Sequence, residues 1–128
     1  MTNLENVQDG YQKFADQDIE GVLAKFDEGI QWHECNGFPF IEGDGIYIGP
    51  ESILQNIFAM IPEHYDGFNI NITDLMASGD KVIMQGFYEG TWKETGKDFK
   101  ANATHIWTLK NGKVTHFFQA VDTAAIIS

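Results

Sequence analysis

From Phe68 to Val121 the chain carries four runs rich in β-branched and aromatic residues, at about 68–77, 81–93, 98–110 and 113–121. Three short breaks separate them: Ser78-Gly79-Asp80, Glu94-Thr95-Gly96 and Asn111-Gly112. Asn-Gly between two such runs is the strongest short-range hairpin signal, because a type I′ turn needs positive φ at both central residues. Long strands joined by such short breaks pair antiparallel, since a parallel return needs a crossover of roughly a dozen residues. The second half is therefore a meander, and what precedes it decides the architecture.

Before the strands the apolar spacing is helical. Leu4, Val7, Tyr11 and Phe14 form one stripe over residues 3–15. Asp18 is a suitable N-cap for a second helix carrying Ile19, Val22, Leu23 and Phe26. Gly29 breaks that pattern. Residues 30–35 then read as a short strand with Ile30, Trp32 and Glu34 on one face and Gln31, His33 and Cys35 on the other. Residues 36–48 hold three glycines and a proline and read as a loop. Gly49-Pro50 opens a third helix with proline at its favoured first position, the stripe Ile53, Leu54, Ile57, Phe58 and Ile61, and Pro62 as its end. The tail TAAIIS forms a last helical turn capped by Asp122. Helices followed by antiparallel strands predict an α+β fold: a curved antiparallel sheet packed against three helices of the N-terminal half, a half-open cone with a cavity.

At 128 residues this is a single domain, 1–128, with no repeat or linker. A formal charge of −11 argues against nucleic acid and against an anionic membrane surface as partners. No apolar run reaches the ~20 residues that span a bilayer. The N-terminus shows neither the basic segment nor the apolar core of a signal peptide, and one cysteine cannot form an intrachain disulfide. A cytoplasmic protein is expected. His33 and Cys35 lack the further ligands a metal needs, so no metal site is expected. No phosphate-binding glycine loop, dinucleotide fingerprint or nucleophile elbow occurs, so no cofactor is expected either.

The chemistry-bearing residues converge on one side. Trp32 and Glu34 share a strand face; in an apolar cone the carboxyl would be pushed toward neutrality and suit acid–base work. His105 and Trp107 share the concave face of the third long strand. Which residues of the last strand join them depends on the hairpin. A two-residue turn pairs Leu109 with Val114 and brings His116 and Phe118 beside His105 and Trp107; a three-residue turn with a bulge at Gly112 brings Phe117 and Gln119. Tyr11, Phe58 and Tyr88 complete an aromatic lining, and the two phenols need polar partners if buried. His64 is expected on the surface.

The order of elements, with IQWHE at 30–34, YIGPESILQNIF at 47–58, GFYEGTWKETGK at 86–97, HIWTLKNGKV at 105–114 and QAVDT at 119–123, resembles the SnoaL-like proteins. These are ketosteroid-isomerase-related members of the nuclear transport factor 2-like superfamily, and the resemblance covers nearly the whole chain. It implies the cone-shaped roll, a pocket fed by the first strand, and the register that turns Gln119 inward. It also implies an acid–base role for Asp122, since SnoaL-like cyclases use an aspartate near the end of this strand. The chain contains no arginine, so the Asp-Arg-Asp set of epoxide-hydrolase relatives cannot form.

Three functional readings follow. One is a cofactor-independent isomerase or lyase acting on a small apolar carbonyl compound, with Glu34, His105 and Asp122 catalytic and Tyr11, Trp32, Phe58, Tyr88, Trp107 and Gln119 binding the ligand. A second is a module that binds the same molecule without turnover. A third gives the exposed sheet face, with Phe118 and Ile106, to dimerisation. A homodimer through that outer face is compatible with all three.

Overall fold

A computed structural model describes residues 1–128. The elements are α1 (Asn3–Ala15), α2 (Ile19–Leu23), β1 (Phe26–His33), β2 (Ile46–Ile48) and α3 (Pro50–Ile53). A π-helical turn (Leu54–Phe58) and α4 (Met60–His64) follow, then β3 (Tyr65–Ser78), β4 (Lys81–Trp92), β5 (Lys97–Lys110), β6 (Lys113–Val121) and α5 (Thr123–Ile127). No helix is long and apolar enough to cross a membrane.

Side chains cap the first two helices. Thr2 and Glu5 form a reciprocal capping box at α1, and the Asp18 side chain accepts from the Gly21 amide at α2. α2 is shorter than expected, because Phe26 leaves it to begin β1 and pair with Val114. The register of β1 then shifts between Phe26 and Gln31, so Gly29 lies inside an irregular segment and does not open the strand. Pro62 does not end the third helix either. Ala59 N donates to Leu54 O at 2.8 Å, five residues back, and this π turn restarts the helix. Pro62 then falls in the first turn of α4, where its missing N–H leaves no bond unmade.

Six strands form one sheet in the order β2-β1-β6-β5-β4-β3. β3 to β6 are the expected antiparallel meander. β1 joins the far side of β6 in parallel, which the long intervening chain permits. β3 bulges between Ile72 and Asp74. Gly86 lies opposite that bulge, where a Cβ would come within 2.0 Å of the Asn71 carbonyl oxygen.

The β5–β6 hairpin combines the two expected arrangements. Its turn has two residues, with Asn111 at φ 52° and Gly112 at φ 78°, and Leu109 pairs with Val114. The ladder then shifts by one residue at Thr115, so that Thr108 faces His116 and His105 faces Gln119. The bulge lies three residues beyond Gly112, and it alone turns Phe117 and Gln119 inward and His116 and Phe118 outward.

Along β5 the inward positions are Phe99, Ala101, Ala103, His105, Trp107 and Leu109, all buried. One imidazole thus interrupts an otherwise apolar row. α1, α2 and the third helix close over this concave face, and α5 seals one end with the buried Ile126.

Candidate functional site

Between the helices and the concave face lies a cavity that opens to solvent. Of its 24 lining residues, 18 are hydrophobic. Aromatic rings set its shape: Trp32 stacks on Phe117 at 3.8 Å and meets Phe58 and Trp107 edge-on at 5.6 and 6.0 Å. Leaving aside tyrosine and tryptophan, the chain buries three polar or charged side chains, Glu34, His105 and Gln119, and all three line this cavity.

They belong to one chain of hydrogen bonds whose direction follows from its ends. An indole N–H only donates, so Trp107 Nε1 donates to Tyr11 Oη at 2.7 Å. The Tyr11 hydroxyl is then free to donate to His105 Nδ1, also at 2.7 Å. Burial lowers the His105 pKa to about 3, partly opposed by Gln119, so the ring is neutral and carries its proton on Nε2. That N–H donates to Tyr88 Oη. Tyr88 donates to Gln119 Oε1 at 2.6 Å, and the Gln119 amide nitrogen donates to Glu34 Oε1. Each group between Trp107 and Glu34 accepts on one side and donates on the other, so the dipoles reinforce one another toward the carboxylate.

Glu34 is the only carboxyl lining the cavity. Burial raises its pKa to about 7; the neighbouring Cys35 backbone, the Gln119 bond and the Trp32 indole pull the other way. Burial, then the nearby Glu34 charge, holds the Cys35 thiol up at about 12. Tyr11 and Tyr88 are raised by burial and stay protonated. The site therefore offers one group that gains or loses a proton near neutrality, held by partners that do not. No three His, Cys, Asp or Glu side chains converge as a metal would need.

Tyr11, Trp32, Glu34, Phe58, Tyr88, His105, Trp107 and Gln119 thus come together. Asp122 does not. It is exposed, outside the cavity, and its side chain accepts from the Ala125 amide to cap α5. His64, expected on the surface, is half-buried and stacks between Phe40 at 4.7 Å and Trp92 at 5.4 Å. Phe38 and Phe40 line the cavity from a segment read only as a loop; the Phe-Pro-Phe pattern at 38–40 was the available signal.

A SnoaL-like domain model matches residues 7–117, and the chain belongs to that family. Its fold is that of NTF2-like proteins. The crystal structure of one from Burkholderia thailandensis E264 is 34% identical, with a TM-score of 0.90 over 98% of this chain and 94% of that one. TerC, co-crystallized with polyporic acid, is 26% identical, with a TM-score of 0.84 over 98% of this chain and 95% of that one. An NTF2-like protein of unknown function from Burkholderia pseudomallei K96243, 23% identical, shares the fold with a TM-score of 0.87 over the whole of both chains. No curated protein matches the chain.

Proposed function

We propose that the cavity binds a small, mostly apolar, carbonyl-bearing molecule and that Glu34 moves a proton on it without a cofactor. One observation carries this reading: a single carboxyl, balanced near pH 7, stands in an apolar aromatic cavity at the end of a polarised hydrogen-bond chain. In such a step the Glu34 carboxylate takes a proton from the carbon beside the carbonyl. The C–H pair moves into the new C=C bond and the carbonyl pair moves onto oxygen. The resulting carboxylic acid then returns the proton to the same carbon, or, where a second C=C is conjugated with the enolate, to its far carbon, as the pair on oxygen re-forms the carbonyl. Gln119, Tyr88 and His105 are positioning residues that hold the carboxyl at the cavity wall. That TerC was co-crystallized with polyporic acid favours a small organic ligand here too.

Hydrogen–deuterium exchange of 2-tetralone in D2O tests the reading. Wild-type protein is expected to accelerate loss of the protons beside the carbonyl, and Glu34→Gln to abolish the acceleration. If 2-tetralone binds in the cavity and neither protein speeds exchange, the reading gives way to binding without turnover. That second reading is favoured by the absence of another acid beside Glu34 among the lining residues.

We further propose a homodimer through the outer sheet face. Phe118 is 49% exposed there, beside Ile106 and His116 in a shallow groove. A half-exposed phenylalanine on a strand face is the kind of surface a second copy covers.

A further inference from the structure

Trp32 Nε1 is the one buried side-chain nitrogen or oxygen that finds no hydrogen-bond partner. Such a group in a native fold needs a reason, because an unmet donor weakens the fold. The contrast with Trp107 is direct: its N–H is taken by Tyr11, while the Trp32 ring, 4% exposed, is left with its N–H open. The ring cannot swing to find a partner, being stacked on Phe117 and flanked edge-on by Phe58 and Trp107. An indole nitrogen is donor-only, so an acceptor must come to it.

The Glu34 carboxyl, two residues further along the chain, lies beside the Trp32 indole. The indole lies close enough to favour the charged form of Glu34, yet outside hydrogen-bonding geometry. Glu34 Oε1 is engaged by Gln119. An atom seated beside both groups must therefore accept from the indole and share a proton with the carboxyl. An oxygen on an unsaturated carbon meets both conditions. A phenol or enol accepts from Trp32 and donates to ionised Glu34; a ketone accepts from Trp32 and from protonated Glu34. A protonated amine has no lone pair for the indole, and a carboxylate is repelled by Glu34 in a low-dielectric wall. Rings on several sides favour a flat carbon skeleton.

We infer that the Trp32 Nε1–H is the recognition donor of the cavity, anchoring the single oxygen of a flat, uncharged phenol, enol or ketone against Glu34. This rests on the reading that Glu34 faces the ligand, and adds to it the ligand class and the residue that selects it.

Paired binding measurements with 2-naphthol and naphthalene, which differ by the one oxygen, test the inference. Wild-type protein is expected to bind 2-naphthol about tenfold more tightly than naphthalene. Trp32→Phe is expected to lose about that factor for 2-naphthol and to keep its naphthalene affinity within roughly twofold, which also reports that the cavity has folded. In wild-type protein the indole ¹H–¹⁵N signal that Trp32→Phe removes is expected to move downfield with 2-naphthol and not with naphthalene. An unmoved signal and an unchanged affinity ratio in Trp32→Phe overturn the anchor and leave the cavity reading standing. So does an indole proton that shows contact with water in the free protein and is unaffected by 2-naphthol. If neither compound binds while Glu34 titrates near 7, the anchor falls and the acid–base reading survives. A Glu34 that titrates in the ordinary carboxylate range removes the acid–base reading itself.

Discussion

The amide nitrogen of Gln119 donates to Glu34 Oε1 across 85 residues of sequence, tying the end of β6 to the residue that follows β1. The bond exists because β1 lies parallel to β6, and because the bulge at Thr115 turns Gln119 inward. Gln119 also takes the Tyr88 hydroxyl on its oxygen, so one amide joins the acid to the rest of the chain of donors.

Gln119→Leu removes both bonds while keeping the volume. It takes away a donor that stabilises ionised Glu34 and leaves the proton of the buried Tyr88 hydroxyl without its acceptor. Glu34 is expected to titrate above about 7, followed through its side-chain carboxyl carbon by NMR. Stability in urea is expected to fall by about 1–3 kcal/mol, the cost of an unsatisfied buried group. An unchanged Glu34 midpoint would show that the amide does not hold the acid.

The two perturbed groups of the cavity pull stability in opposite directions with pH. Glu34 has a folded pKa of about 7, above its ordinary 4.5, so the folded state holds the extra proton between those values and loses stability as pH rises through them. His105 has a folded pKa of about 3, below its ordinary 6.5, so the unfolded state holds the extra proton and stability rises with pH across that interval. Between pH 4.5 and 6.5 the two slopes oppose and nearly cancel. Glu34→Gln removes one of them. The stability of that variant minus that of wild type is expected to grow by about 1.4 kcal/mol per pH unit over this window, to a total of ~3 kcal/mol by pH 7. Denaturation midpoints in buffers from pH 4 to 8 measure it, and a flat difference would mean that burial does not raise the Glu34 pKa.

Much of this was legible in the sequence because the chain is locally consistent. The apolar stripe over residues 3–15, the proline start at Pro50 and the turn signals place α1, the third helix and β3 to β6. Alternation along β5 puts His105 and Trp107 on the cavity face. What stayed hidden depends on contacts between distant segments. The bulge at Thr115 has no glycine to mark it, and it decides which half of β6 faces inward. The partner of an orphan donor, or its absence at Trp32, emerges only once Phe117 and Phe58 have fixed the ring. Phe40 reaches the cavity and His64 through a glycine-rich loop, where side-chain direction follows no period.

Asp122 holds a structural task at the end of β6. Its side chain is engaged as the N-cap of α5, and the short helix it starts buries Ile126 against the end of the sheet. Asp122→Ala is expected to lower stability by about 1 kcal/mol, the usual cost of losing a cap. The Glu34 titration and the 2-tetralone exchange rate are expected to stay at wild-type values. A loss of exchange with the fold intact would return Asp122 to the chemistry.

The outer face gives the last prediction. Phe118 alternates with Phe117 and Gln119 along β6, so it points away from the cavity, and a charge placed there leaves the cavity wall untouched. If two copies meet through this face, Phe118 is buried in the pair, and Phe118→Lys sets two cations against each other across the symmetry axis. Light scattering at matched concentrations is then expected to show about twice the monomer mass for wild type and the monomer mass for the variant. The Glu34 midpoint is expected to be the same in both, since the substitution lies on the opposite side of the sheet. A variant that keeps the wild-type mass would move the contact to another surface, and a wild type with monomer mass would remove the dimer altogether.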